Sequence, residues 1–338
     1  MDTRATRLQR QAALRSKYEA AAQGILEAIS SEPKKFFSPA DLANLGVHLL
    51  PFDPLSEEFI QSRKCLFQPL STDFLAEFFI EDSELMDSDR KALQLLEPAS
   101  PPDDLSSLLH AAREIFLLLE TTYSHLKRKK PKAYLFELVD WEFIACDDDF
   151  HEANGFYPYK NHLGIPLWSY LDMMQHCTTK RGKTIIRPHL QLVMGNDAVV
   201  KESGLLMGEL GPIVQGILAR INQPCFKNTS LIPVQIFSFF GPLDGRILQA
   251  RFYPSGQLVI RASGIYHFTS ENQEYLASLF LRYRFSEPRV GDGYEFDVFD
   301  VAEESPAGFP DSGEKNPLGS LVLRPASTSS TGKENVAL

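Results

Sequence analysis

The chain has little cysteine and no long apolar run. Four cysteines occur in 338 residues, and no two of them form a C-x-x-C pair. This spacing argues against a zinc knuckle and a disulfide framework, and it is typical of proteins in a reducing compartment. No segment has the roughly 18 consecutive apolar residues of a membrane-spanning helix, and the first residues lack the apolar block of a signal peptide. We therefore expect a soluble, intracellular protein.

Short catalytic motifs are also missing. The sequence contains no G-x-S-x-G, H-E-x-x-H or G-x-G-x-x-G pattern, so serine-hydrolase, zinc-protease and dinucleotide-binding functions have no local support. Gly182-Lys183-Thr184 matches the end of a phosphate-binding loop, but Cys177 stands where that pattern needs its first glycine. Histidines of the middle region show no H-x-x-x-H spacing, and we expect them to be structural rather than zinc ligands: His151, His162, His176 and His189.

The overall composition is that of an ordinary globular protein. Hydrophobic residues make up 43% and charged residues 23% of the chain, enough for a core that needs no disulfide or metal. The net charge of −10 disfavours binding of nucleic-acid phosphates by the whole surface, although a local basic patch remains compatible with it. Nucleic acid is therefore a possible partner but not the favoured one, and no membrane partner is expected.

Apolar spacing divides the chain into three parts. Residues 1–130 are predicted to be helical, because apolar residues recur at helical intervals between prolines. Residues 131–290 are predicted to form an α+β core domain, a small mixed or antiparallel sheet flanked by helices, since Tyr, Phe, Val and Trp become frequent there. Residues 302–338 are rich in Pro, Gly, Ser and Thr and are predicted to be a disordered tail.

Several elements have specific signals. Ser38 and Pro39 are predicted to begin a helix as cap and first residue. The segment "GPIVQGILARINQ" is predicted to be a helix with Pro212 in its first turn, and "SYLDMMQHCTTK" is also predicted to be helical. Ser270 and Gln273 match a capping box for the last helix. Two apolar stripes are predicted: Leu14, Tyr18, Ala21, Ile25 and Ile29 on the first helix, and Tyr275, Leu276, Leu279, Phe280 and Tyr283 on the last.

The segment "ARFYPSGQLVIRA" predicts a β-hairpin. Proline suits the first corner of a type I turn and glycine the left-handed position that follows, so Tyr253 should face Gln257 across the loop. That register makes one face wholly apolar and the other polar, and a slip by one residue would destroy both faces. The predicted apolar pairs are Phe252–Leu258, Ala250–Ile260 and Leu248–Ala262, and the polar face pairs Arg251–Val259 and Gln249–Arg261.

The polar face of this hairpin is the first candidate binding site. Arg251, Arg261 and Gln249 lie together on it, and arginine side chains there could bind an anion or a nucleic-acid strand. The alternative is a solvated outer face, or arginines paired with carboxylates of the same chain.

A dense acidic cluster, "ELVDWEFIACDDDFHE", is the second candidate site. Asp140 and Glu142 are two residues apart on a predicted strand and hence on one face. Together with one of Asp147, Asp148 and Asp149 they could bind Mg²⁺ or Mn²⁺, because hard cations prefer oxygen ligands. The alternative is an acidic surface loop, and the spacing fits no EF-hand. No other cofactor is expected.

The basic run from His125 to Lys132, "HLKRKKPK", matches a short nuclear-import signal. Lys127, Arg128, Lys129 and Lys130 would supply the charges that an import receptor reads. The alternative is a basic helix end that complements the helix dipole. The expected location is therefore cytoplasmic or nuclear.

Two resemblances bear on the family. "IPVQIFSFFGPLDGRILQARFYPSGQLVIRASGIYHF", followed by "LFLRYRFSEP", resembles a group of uncharacterised proteins from filamentous fungi over residues 185–288. This resemblance implies a fungal source and no particular activity.

The strand "IPVQIFSFF", preceded by a helix, is similar to fungal proteins related to the PD-(D/E)xK nucleases. That family needs an acidic residue and then an acidic-x-Lys triplet to hold the metal. In "VDWEF", Asp140 and Glu142 have no lysine two residues after an acid, and Lys201 lies in the wrong frame. The resemblance therefore implies a degenerate active site.

The absence of a catalytic constellation favours a non-catalytic protein that binds a macromolecular partner, most simply another protein. The alternative is a divalent-metal nuclease or phosphodiesterase using Asp140, Glu142 and Asp147 or a neighbour. These hypotheses differ in whether the carboxylates converge in a cleft beside a lysine.

Overall fold

The computed structural model describes residues 4–32, 34–94, 105–144, 168–180, 182–200 and 203–289. The tail predicted at 302–338 lies outside these residues. None of the helices in these ranges combines the length and the apolar character that a bilayer crossing requires.

The described helices and strands are as follows. The helices are α1 (Arg4–Ser31), α2 (Pro39–Asn44), α3 (Glu57–Gln61), α4 (Thr72–Leu75), α5 (Asp87–Ala92), α6 (Leu105–His125), α7 (Met207–Asn222) and α8 (Gln273–Arg284). The strands are β1 (Phe36–Phe37), β2 (Val47–Pro51), β3 (Phe67–Gln68), β4 (Phe78–Phe79), β5 (Lys127–Arg128), β6 (Ala133–Tyr134), β7 (Trp141–Phe143), β8 (Trp168–Lys180), β9 (Lys183–Asn196), β10 (Leu205–Leu206), β11 (Val234–Phe240), β12 (Asp244–Phe252), β13 (Leu258–Ala262), β14 (Tyr266–His267) and β15 (Glu287–Pro288).

One mixed sheet organises the described residues. Its strand order is β2-β13-β12-β11-β9-β8-β7, and β14 pairs with β12. β2 runs parallel to β13 and β11 runs parallel to β9, whereas the other neighbours on this path are antiparallel. The predicted α+β class is confirmed, and the sheet is larger than expected because it has eight strands.

Helices and short segments cover both faces of this sheet. On the first face, α1 and α7 pack on an apolar core that includes Ile217, Ile236 and Leu248. On the second face, α6, α8 and the short elements between residues 52 and 94 pack on a core that includes Ile115, Phe237 and Phe280. The central strands β11, β12 and β13 are therefore buried on both faces.

The predicted stripe of α1 is confirmed with one change. Leu14, Tyr18, Ile25 and Ile29 are buried, but the fully buried alanine is Ala22 instead of Ala21. Arg15, on the same helix, donates to the carbonyl oxygen of Thr229 at 3.0 Å and also to that of Ile221, near the end of α7. The bond to Ile221 satisfies a carbonyl that a helix end leaves without an intrahelical partner.

Strands occur among the described residues of the region predicted as helical. The described residues before and after position 131 belong to one compact unit. β2, within the region predicted as helical, pairs in parallel with β13 from Leu258↔Val47 to Ala262↔Pro51. The sequence "SPADLANLGVHLL" therefore contains both the predicted helix, with Ser38 accepting from the Asp41 N–H at 3.2 Å, and a strand.

Four local predictions are wrong. "SYLDMMQHCTTK" forms the long strand β8, not a helix, because it pairs with β9 along almost its full length; pairing and burial outweigh its helix-forming residues. Pro212 lies inside α7, which already begins at Met207. Asn272, not Ser270, precedes the last helix, and Tyr275 is 50% exposed rather than part of its buried stripe.

The hairpin prediction is confirmed in register. Leu248, Ala250 and Phe252 face Ala262, Ile260 and Leu258, and all of them belong to the first core. The turn closes with the Tyr253 N–H on the Gln257 carbonyl at 2.9 Å and the Gly256 N–H on the Tyr253 carbonyl at 2.8 Å. Gly256 has φ +90°, a conformation that glycine adopts without strain.

Candidate functional site

The polar face of the hairpin is buried. Arg251, Arg261 and Gln249 are 3%, 4% and 1% exposed, so the expectation of a solvated outer face is wrong. The physical reason is the second layer, which the N-terminal region and α8 place over this side of the sheet. A binding role for the three residues stays a prediction, and their burial gives a ligand no surface at which to reach them.

Two of these residues, Gln249 and Arg261, belong to a polar row that crosses the sheet. Gln191, Gln235, Gln249 and Arg261 lie side by side in register on β9, β11, β12 and β13. The Gln249 amide donates to Gln235 Oε1 at 3.1 Å, and the Gln235 amide donates to the carbonyl of Tyr283 at 2.9 Å. The row therefore binds the sheet to the segments that cover it.

Tyr253 connects the two arginines. Arg261 donates to the Tyr253 hydroxyl at 3.1 Å, and the Arg251 guanidinium lies 4.3 Å from the centre of the Tyr253 ring. Burial disfavours the phenolate, but the two positive charges outweigh burial and lower the pKa of Tyr253. This cluster is a folded interior contact between the two strands and the turn that joins them.

The acidic candidates lie at the edge of the sheet. Asp140 and Glu142 are exposed on either side of the buried Trp141, whose indole N–H donates to the carbonyl of Ser286 at 2.8 Å. Asp147, Asp148 and Asp149 lie outside the described residues. Within the described part of the chain, no three His, Cys, Asp or Glu side chains are grouped in a way that could hold a metal ion.

Two histidines of the middle region are interior residues. His189 is 2% exposed, and its ring meets that of Phe67 edge-on at 5.2 Å between centroids. Burial, with the nearby His176 and Arg187 adding to it, lowers the pKa of His189 to about 3. Burial likewise lowers the pKa of His176. Both rings are therefore neutral near pH 7, whereas His151 and His162 lie outside the described residues.

The basic run is folded at its start and exposed at its end. Lys127 is 4% exposed and pairs with Glu84 at 2.6 Å and with Glu81. Arg128 pairs with Glu77 at 3.0 Å, and both cations belong to β5. Lys129 and Lys130 are exposed in the turn that follows. An import receptor needs accessible side chains, so Lys127 is poorly placed for that role, and the signal stays a prediction.

A groove that the sequence did not indicate lies on the second layer. α4, β4, α6 and α8 surround a cavity of about 510 Å³. Its wall is apolar and its rim is polar, with Asp82, Thr122, Gln273, Glu274 and Ser278. Cavities of this size and character are typical ligand sites. The apolar lining residues are Leu75, Phe78, Ile80, Leu93, Leu118, Leu126, Ala277 and Leu281.

A basic hollow continues this cavity. It measures about 450 Å³ and shares Ile80 and Asp82 with the apolar cavity. Lys129 and Lys132 line it, and the Lys129 ammonium lies 4.9 Å from the centre of the Phe79 ring. Among the described ion pairs none includes Lys129, Lys130 or Lys132. We call these three residues the lysine turn, and the two hollows together the composite groove.

Helical spacing could have indicated only part of this site. The stripe on α6 that contains Ile115 and Leu118 predicts a buried face, and α6 is in fact buried there against α8. The cavity exists because no element fills the space between the helices. That depends on the distance between the helices, which local sequence patterns do not predict.

No family model, curated protein or solved structure matches the chain. The resemblances to a fungal protein group and to PD-(D/E)xK nucleases are therefore still predictions.

Proposed function

We propose that this chain is a non-catalytic binding protein, and that its partner is a protein segment that combines an apolar anchor with acidic side chains. The observation that carries the proposal is the composite groove, in which an apolar cavity and a basic hollow share the lining residues Ile80 and Asp82.

The apolar half accounts for affinity. Phe78, Leu118, Leu126 and Leu281 line a space large enough for one or two large side chains. Burial of one Leu or Phe side chain in such a space stabilises a complex by about 1.5–3 kcal/mol. A few anchors of this kind dominate the free energy of most protein interfaces.

The basic half accounts for the chemistry of the partner. Lys127 and Arg128 are already neutralised by glutamates. The lysine turn adds three positive charges, of which Lys132 interacts electrostatically with Glu81 and none belongs to a described ion pair. A local positive surface on a chain of net charge −10 attracts acidic segments, while the rest of the surface repels them. An acidic peptide with an apolar anchor matches both halves of the groove.

The metal-dependent nuclease remains the alternative hypothesis. It needs Asp140 and Glu142 to converge with a third carboxylate near a lysine. Among the described residues there is no such convergence to support it.

A peptide-display selection tests the proposed function. A library of random peptides of about 12 residues is panned on the wild-type chain and on two variants of α8. Ser278→Trp places an indole at the rim of the cavity, and Tyr275→Trp is a matched control at a residue that is 50% exposed and does not line the cavity. We expect peptides with Leu, Phe or Trp near Asp or Glu to be enriched on wild type and on Tyr275→Trp, and lost on Ser278→Trp.

The lysine turn is tested with the selected peptides. Lys129→Glu/Lys132→Glu should weaken their binding about 10-fold or more, because a repulsive pair replaces an attractive one. Enrichment of peptides that bind all variants equally, or no enrichment on wild type, would overturn the proposal.

A further inference from the structure

The hairpin of β8 and β9 extends beyond the sheet. Its outer pairs are Cys177↔Ile186, Thr178↔Ile185, Thr179↔Thr184 and Lys180↔Lys183. β11 pairs with β9 only from Leu190 onward, and β7 pairs with β8 only as far as His176. Residues 178–180 and 183–186 therefore form a two-stranded ribbon that reaches roughly 13 Å past the neighbouring strands, at about 3.4 Å per residue. We call this the basic ribbon.

The charge of the basic ribbon has one sign. No Asp or Glu occurs from Met173 to Asn196, although the chain has 44 acidic residues. The same stretch contains Lys180, Arg181, Lys183 and Arg187. Such a segregation in an acidic chain indicates a surface that meets an anionic partner.

The register strengthens this indication. Lys180 and Lys183 lie directly opposite each other, both are exposed, and no described ion pair includes either one. Like charges directly opposite in a β-pair are destabilising, so the ribbon holds an arrangement that an external anion would relieve.

We propose that the basic ribbon binds nucleic acid through its phosphates. Lysine, arginine and threonine side chains are the usual phosphate contacts of DNA-binding proteins, and Thr178, Thr179 and Thr184 stand beside the cations. A two-stranded β-ribbon also fits the major groove of B-DNA, which is about 12 Å wide. Net charge alone disfavours this partner, but the local segregation of charge supports it.

A membrane surface fits the ribbon less well. The exposed apolar residues are Ile185 and Ile186, at 37% and 36% exposure. They are consecutive on β9 and so point to opposite faces of the ribbon. The ribbon therefore has no single apolar face to insert among lipids, which interfacial binding requires.

Fluorescence anisotropy with a fluorescein-labelled 20-base-pair duplex tests the proposal. Binding is measured between 50 and 200 mM salt for wild type, for Lys180→Gln/Lys183→Gln, and for Lys129→Gln/Lys132→Gln. The last variant is the matched control, because it removes the same charge from the lysine turn. We expect the ribbon variant to weaken binding about 10-fold or more and to reduce the slope of log K against log salt by about 1.8, since each lost phosphate contact contributes about 0.9. The control variant should keep the wild-type slope.

Three results would overturn this inference: no duplex binding at 50 mM salt, equal losses in both lysine variants, or co-sedimentation with phosphatidylserine vesicles in place of duplex binding. Thermal unfolding of each variant shows that the fold is intact. The selected peptides should bind the ribbon variant as they bind wild type, so a failure of this proposal is distinguishable from a failure of the groove.

Discussion

The two faces of the sheet are both buried, yet they differ in chemistry. Long helices cover the first face, and their backbones satisfy their own hydrogen bonds; the β12 side chains there include Leu248 and Ala250. Short elements cover part of the second face, and their backbone groups need other partners. The Leu66 N–H, in such a short segment, donates to Gln249 at 3.1 Å. The Tyr283 carbonyl, in the last turn of α8, accepts from Gln235. The polar row of the second face thus bonds to backbone groups of the segments that cover it.

The largest expected effect is on the ion pair at the margin of the first face. Glu209 is fully buried, and Arg246 donates to its Oε1 at 2.8 Å and also to its Oε2. Glu209→Ala should lower the free energy of unfolding by about 3–5 kcal/mol, because it leaves a buried arginine without its partner. Urea denaturation measures the change.

Arg284 on the second face supplies the comparison. It pairs with Glu120 at 3.0 Å and with Asp172, and Glu120 is partly exposed. Glu120→Ala leaves Asp172 in place and should therefore destabilise less than Glu209→Ala. Equal losses of stability in Glu120→Ala and Glu209→Ala would contradict the greater burial of Glu209.

Two consecutive residues of β12 compare the faces directly. Leu248→Ala should cost about 2–5 kcal/mol through lost burial and a cavity. Gln249→Ala should cost about 1–3 kcal/mol, because it leaves the Leu66 N–H and the Gln235 amide oxygen without their bonds. Gln249→Leu restores volume but not the hydrogen bonds, so recovery of full stability in that variant would show that the polar row is dispensable.

The pH dependence of the free energy of unfolding tests the burial of His189 on the second face. Burial lowers the pKa of this histidine from 6.5 to about 3, so the unfolded chain takes up its proton first as the pH falls. Stability from this group is complete above pH 6.5 and decreases below it, by about 2 kcal/mol at pH 5. His189→Leu should remove that part of the decrease. An unchanged pH dependence in the variant would mean that His189 titrates normally.

The smallest effects are expected at two helix caps. Ser38 accepts from the Asp41 N–H in front of α2, on the first face, and Ser56 accepts from the Phe59 N–H in front of α3, on the second. Ser38→Ala and Ser56→Ala should each cost about 1 kcal/mol in thermal or urea unfolding. Similar losses in the two variants would indicate that the faces differ in the side chains of the sheet. Unequal losses would indicate that the helices covering the faces also differ in stability.

Local signals predicted the elements whose partners are near in sequence. The hairpin around Pro254 has its turn and its apolar face within a few residues, and its register is confirmed. The cap at Ser38 and the stripe from Leu14 to Ile29 are likewise local and are confirmed, with Ala22 in place of Ala21.

Long-range pairing explains what the sequence did not predict. β8 has helix-forming residues and no alternation, because both of its faces are covered, and β2 pairs with a strand about 200 residues away. The burial of Arg251 and Arg261 follows from a layer supplied by distant segments. For the candidate site, the separate parts of the composite groove are visible as helical stripes and a basic run, but their meeting at Ile80 is not.

The place of β2 in the sheet has a consequence for biosynthesis. A ribosome releases Val47–Pro51 long before it makes Leu258–Ala262, the strand on which they pair. During that interval the backbone N–H and C=O groups of β2 have no strand to pair with. An unpaired strand of this kind can associate with other chains. Pairing of β2 therefore follows the synthesis of β13. Chains stalled between these two segments should be the ones that chaperones bind most.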